Sequence, residues 1–98
     1  MAVRILIRRH VPDDKIRELG PLLKRLRILA TNQRGYISGE TLRRHEQPGE
    51  YLVISTWQSS EDWNNWLKSA ERNKVQDQID KLLGGETRYE IYHYGFSE

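Results

Sequence analysis

In 98 residues the chain sets 16 Lys and Arg against 14 Asp and Glu, a formal charge of +2 with the two signs interleaved, and has no cysteine. That composition excludes disulfides, thiolate chemistry and cysteine metal sites, shows no basic stripe with stacking aromatics for nucleic acid, and holds no apolar run near the ~20 residues that span a bilayer. The expectation is one soluble, cytoplasmic domain over residues 1–98 with a core small enough to gain from a partner chain, and with neither nucleic acid nor membrane as partner.

The first strand shows Val3, Ile5 and Ile7 alternating with Arg4, Leu6 and Arg8, and it runs to His10 before Pro12. Pro12, Asp13 and Asp14 open a helix in which Ile16, Leu19, Leu23, Leu26 and Ala30 recur at three and four. Pro21 cannot bond back to Arg17, so a kink or break is expected there. Gly35 suits the left-handed position that follows a helix. Strands from Tyr36 to His45 and from Glu50 to Trp57 flank Pro48 and Gly49, which stand in the order of a type II turn, so a hairpin is predicted.

The stretch from Tyr51 to Arg72 organises the rest. Its apolar strand reaches Trp57 and turns abruptly polar at Gln58 to Asp62, with Ser59 or Ser60 placed to cap a helix and Glu61 and Asp62 matching its dipole. That helix is predicted from Ser60 to Ser69, and Trp63, Trp66, Leu67 and Ala70 share its inner face. Ser69 can cap a further helix with Val75, Ile79, Leu82 and Leu83 buried, ended by Gly84 and Gly85. A last strand, Thr87 to Phe96, sets Tyr89, Ile91 and His93 against Tyr92, Tyr94 and Phe96.

The order βαββαβ is that of the ferredoxin-like α+β fold, a four-stranded antiparallel sheet with helices on one face. Leu52, Ile54, Tyr92, Tyr94 and Phe96 would then share the uncovered face. A two-fold homodimer packing two such faces together would bury them; the alternative is an amphipathic sheet that tolerates exposed aromatics.

The segment EYLVISTWQSSEDWNNWLKSAER, following GYISGETLRRHEQPG in that order of elements, resembles the antibiotic biosynthesis monooxygenase (ABM) domain family. The resemblance implies a dimeric α+β barrel and covers essentially the whole chain. It also implies a range of activities: cofactor-free oxygenation of aromatic polyketides and quinol-like compounds, haem degradation, or action on small signalling molecules. Two pocket aromatics of the actinorhodin-type oxygenase correspond to Trp57 and Trp63, whereas its asparagine and later arginine fall at Val53 and near Asp77. Trp66 matches the haem-degrading members, but their axial histidine is Gln76 here and their first-strand asparagine is Ile7, which disfavours that route.

A cofactor-free oxygenase needs a dry aromatic pocket, an acceptor for the substrate proton and a donor for the developing anion, with no metal. Trp57, Trp63 and Trp66 are expected to wall such a pocket around a small aromatic molecule, with Tyr51 or Tyr89 donating. His93 is the candidate base and Asn65 a partner for a carbonyl. Each also reads as ordinary structure, since paired helix aromatics commonly build a core and His93 suits an exposed edge. The three histidines, His10, His45 and His93, share no metal-binding spacing. Oxygenase, non-catalytic ligand-binding dimer and haem-associated protein are the three functional classes to separate.

Overall fold

Alternation along β1, Val3–His10, puts Val3, Ile5, Ile7 and Arg9 in the interior and leaves Arg8 and His10 outside. A computed structural model describes residues 1–96. After β1 a 3-10 turn at Asp13–Lys15 leads into α1, Ile16–Thr31. Then come β2, Tyr36–Arg43; β3, Glu50–Trp57; α2, Ser60–Leu67; α3, Ala70–Leu83; and β4, Arg88–His93. The strands lie in the order β2-β3-β1-β4, every neighbour antiparallel, which is the ferredoxin-like arrangement predicted.

Local signals account for most boundaries. The Ser59 hydroxyl accepts from the Asp62 N–H at 3.1 Å, and the Ser69 hydroxyl accepts from the Arg72 N–H at 3.4 Å, so each helix after β3 starts on its own serine cap. Gly84, with φ +72°, closes α3 in the left-handed conformation. Gly35, with φ +87°, turns the chain from α1 into β2, and a Cβ there would lie 2.2 Å from Asp62 Oδ2, so glycine also lets α2 dock.

Three expectations are corrected. The helix runs unbroken through Pro21: the residue is exposed, so the Arg17 carbonyl it frees faces solvent, while Leu19, Leu22, Leu23 and Leu26 hold the helix to the core. Pro48 and Gly49 do sit at the centre of a turn closed by the Glu50 N–H on the Gln47 carbonyl at 2.9 Å, but Gly49 lacks the positive φ of the type II form. Its carbonyl instead accepts from the Val11 N–H at 2.7 Å, an approach in which a side chain at 49 would crowd His10. Finally, β4 ends at His93, so Tyr94 and Phe96 lie beyond the sheet, both exposed.

Under the helices the apolar residues form two clusters. One joins Val3, Ile5, Ile7 and Ala30 to the three tryptophans; the other joins Val11 and Leu19 to Val75 and Ile79. No helix among the described residues is long and apolar enough to cross a membrane.

Candidate functional site

Between the helices and the covered sheet face lies a cavity of about 80 Å³, within about 580 Å³ of empty space once its open mouth is counted. All seven regular elements contribute to its wall. Ile7 and Val53 form the floor; Leu23, Leu26 and Ala30 of α1 form one side; Trp63 and Trp66 form the aromatic side; Tyr36 and Gly39 close the β2 edge. The remaining lining is polar: Arg9, Arg27, Ser55, Arg72, Gln76 and Tyr89.

The aromatic wall is a packed unit. Trp57 is fully buried, 0% exposed, and its indole N–H donates to the Ser55 hydroxyl at 2.8 Å. It stacks on Trp66 with centroids 6.3 Å apart and planes 25° apart, and meets Trp63 and Tyr36 edge-on at 5.9 and 5.4 Å. Trp57 thus backs the wall, and Trp63 and Trp66 face the cavity. The Trp63 ring also lies 5.6 Å from that of Tyr89, tying the wall to β4.

At the polar end two arginines are buried. Arg72 is 4% exposed: it donates to the Leu67 carbonyl at 3.3 Å, to Asn73 Oδ1 at 2.8 Å and to the Tyr89 hydroxyl, and its guanidinium lies 5.2 Å from the Tyr89 ring centre. Arg9 is 6% exposed and its Nε has no partner. Loss of hydration pushes the Arg9 pKa down, and Arg72 nearby adds to that effect. Burial pushes the Tyr89 phenol up, against the opposing pull of Arg72 and Arg9, so Tyr89 is a neutral hydroxyl at physiological pH. Having accepted from Arg72, it keeps a proton to donate. Gln76 donates to Asp80 Oδ1 at 2.8 Å and to the Thr87 hydroxyl at 2.9 Å, leaving its buried Oε1 unpartnered.

Of the residues singled out in the sequence, Trp63, Trp66 and Tyr89 meet at the cavity, with Trp57 directly behind. Tyr51 is half-buried on the same sheet face but packs against the second cluster. Asn65 is exposed, because at 3.6 residues per turn it points roughly 100° away from Trp66 and further from Trp63. His93 is exposed as well: it lies on the helix side of β4, opposite Val3, but the helices cover that edge strand only as far as Tyr89. Neither Asn65 nor His93 lines the cavity, and among the described residues no carboxylate or histidine does. Nor do three His, Asp or Glu residues gather anywhere in the described chain as a metal site.

Arg9, Arg72 and Gln76 were missed as site residues although the periodicity carried them. Arg9 extends the inward series Val3, Ile5, Ile7, and Arg72 and Gln76 share the helix face of Val75 and Ile79.

Residues 2–78, more than half of the chain, match the family model described as antibiotic biosynthesis monooxygenase. The chain belongs to that family. Among solved structures this ABM protein is similar to a conserved protein of Methanosarcina mazei Go1, at 20% identity and TM-score 0.88 over 97% of this chain and 94% of that one. It is similar too to a variant of SnoaB, a cofactor-independent oxygenase from Streptomyces nogalater, at 14% identity and TM-score 0.84 over 98% and 95%. Rv0793 from Mycobacterium tuberculosis gives 15% identity and TM-score 0.84 over 99% and 98%. At these identities the likeness is one of fold. No curated protein matches the chain.

Proposed function

We propose that this ABM protein is a cofactor-independent monooxygenase that oxidises a small phenol-, quinol- or polyketide-like aromatic with O2, and that it works as a homodimer. The observation that carries the reading is the cavity itself, where two indoles share the wall with buried donors, Tyr89 beside Trp63 and Arg72 beside Tyr89. An electron-rich ring would lie against Trp63 and Trp66 with its oxygen toward Tyr89 and the guanidiniums. Once that oxygen is deprotonated, the ring carbon para to it transfers electrons to O2. A phenol with a free para C–H becomes a para-quinone: one oxygen atom forms the new carbonyl, the other leaves as water, and all four electrons come from the substrate. Donors preorganised around the phenolate oxygen would supply the electrostatic part of the catalysis.

Oxygen uptake tests this. Metal-stripped protein is assayed against hydroquinones, anthrones and flavonol-type phenols, with heat-denatured protein as the autoxidation control. Saturable uptake, lost in Trp66→Ala, is expected. That no carboxylate or histidine lines the cavity among the described residues favours a second reading, a ligand-binding protein without turnover, which predicts quenching of tryptophan fluorescence by the same compounds and no uptake. Haem chemistry has the least support, since Gln76 is held by Asp80 and Thr87 and its amide is a poor iron ligand.

A further inference from the structure

We propose that Arg9 and Arg72 form an anion subsite, so that the cavity selects aromatic compounds carrying an ionised acid over neutral compounds of the same shape. The inference rests on reading the cavity as the ligand site and names the class of ligand it takes. Both guanidiniums line the cavity at 6% and 4% exposure, and neither makes a salt bridge among the described residues. The partners of Arg72 are a carbonyl, an amide oxygen and a phenol, all neutral, so its charge is solvated but not compensated. Arg9 has less, with a buried Nε and no partner for it. Asp80, an acid close enough to act on Arg9, is engaged by Gln76 and Thr87 and bonds to neither arginine.

Two buried cations without a counterion are costly, and arginine cannot escape by losing its proton. They also raise each other's energy, which an anion placed between them would relieve. Charge-assisted hydrogen bonds from planar guanidiniums are the strong kind, and they suit the two oxygens of a carboxylate or the single oxygen of a phenolate. The free Oε1 of Gln76 beside them would accept from a hydroxyl on the same ligand. The subsite therefore favours a hydroxylated aromatic acid, and it would hold a phenol as its anion without a basic side chain in the cavity.

The test is a fluorescence titration of the full chain with two single-ring quenchers of matched shape, 4-nitrobenzoate and 4-nitrobenzamide. The benzoate should bind about tenfold or more tightly, the scale set by one charge-assisted bond. In Arg9→Met, which keeps a long apolar stem, the two affinities should converge; far-UV circular dichroism checks that the variant is folded. A third probe, 4-nitrophenol, is titrated at a pH below its own pKa: growth of the phenolate absorbance on binding assigns the subsite to phenolates as well, and its absence confines it to carboxylates. Equal affinity of wild type for benzoate and benzamide, a preference unchanged in Arg9→Met, or no quenching by either compound overturns the proposal. Selective binding of benzoate without oxygen uptake on the phenol panel leaves the subsite standing and removes the oxygenase. Uptake without the preference does the reverse.

Discussion

Trp57 and Trp66 stack on each other, yet they differ in what lies behind them. Trp57 is enclosed on all sides, whereas one side of Trp66 borders the cavity. Trp57→Ala should therefore cost about 3–5 kcal/mol, the range for deleting a fully packed aromatic, and Trp66→Ala less, because part of its surface already lacks packing partners. Urea denaturation of the two variants measures the order. Only Trp66→Ala should also abolish ligand quenching at concentrations where it remains folded, and equal costs for the two would mean that Trp66 is core. Tyr89 gives a second expectation at this scale. Its folded pKa is raised, so above the ordinary tyrosine value near 10 the unfolded chain releases the proton first and binds fewer protons than the folded one. The stability this group contributes is complete below that pH and is lost as pH rises toward the folded pKa. An alkaline absorbance titration should show a late-ionising phenol that disappears in Tyr89→Phe. If the late phase persists in that variant, another tyrosine carries it.

The elements were legible wherever a boundary is set by a local contact. Ser59, Ser69, Gly35 and Gly84 each act within a turn of their own position, and each does in the fold what its residue type predicts. Where the outcome depends on packing at a distance, the sequence was silent. Pro21 weakens its helix locally, but the leucines on the buried side keep the helix continuous. The inward side of β4 could be read, but not how far the helices reach along it, and for that reason His93 emerges exposed while Tyr89 lies in the site. The docking of α2 against the start of β2 is open to a direct test. Gly35→Ala would impose a left-handed alanine, costing about 1–2 kcal/mol, and would also displace the Asp62 carboxylate. Ser59→Ala removes one cap bond at the same junction, worth about 1 kcal/mol. Chemical denaturation should rank Gly35→Ala as the more damaging; if it is the milder, α2 does not dock tightly against Gly35.

Across the whole molecule the two sheet faces differ in kind. The helices cover one. On the other, the strand register aligns Leu42 with Leu52, Ile54 with Leu6, and Arg4 with Tyr92, while Arg8 and Arg88 face each other and Arg8 pairs with Glu90 at 2.9 Å. The face is thus apolar toward β2 and β3 and charged toward β4. On the two edge strands Leu42 and Tyr92 are 46% and 48% exposed, and between them Leu6, Leu52 and Ile54 of the central strands are half-buried, so that the face carries enough apolar surface to favour association. A two-fold axis lying parallel to the sheet, in the plane between two copies, would lay the leucine and isoleucine side of one against that of the other, with the arginines and Glu90 left at the rim where water still reaches them. Ile54 sits in the row between Glu40 and Leu6, so a charge there would be buried without a partner in such a dimer and harmless in a monomer. Light scattering on the purified protein should give twice the chain mass, and Ile54→Asp should give the chain mass while the far-UV circular dichroism is unchanged. A wild-type protein that scatters as a single chain at every concentration would show that this face tolerates water, and the oxygenase reading would then have to stand on the cavity of one chain.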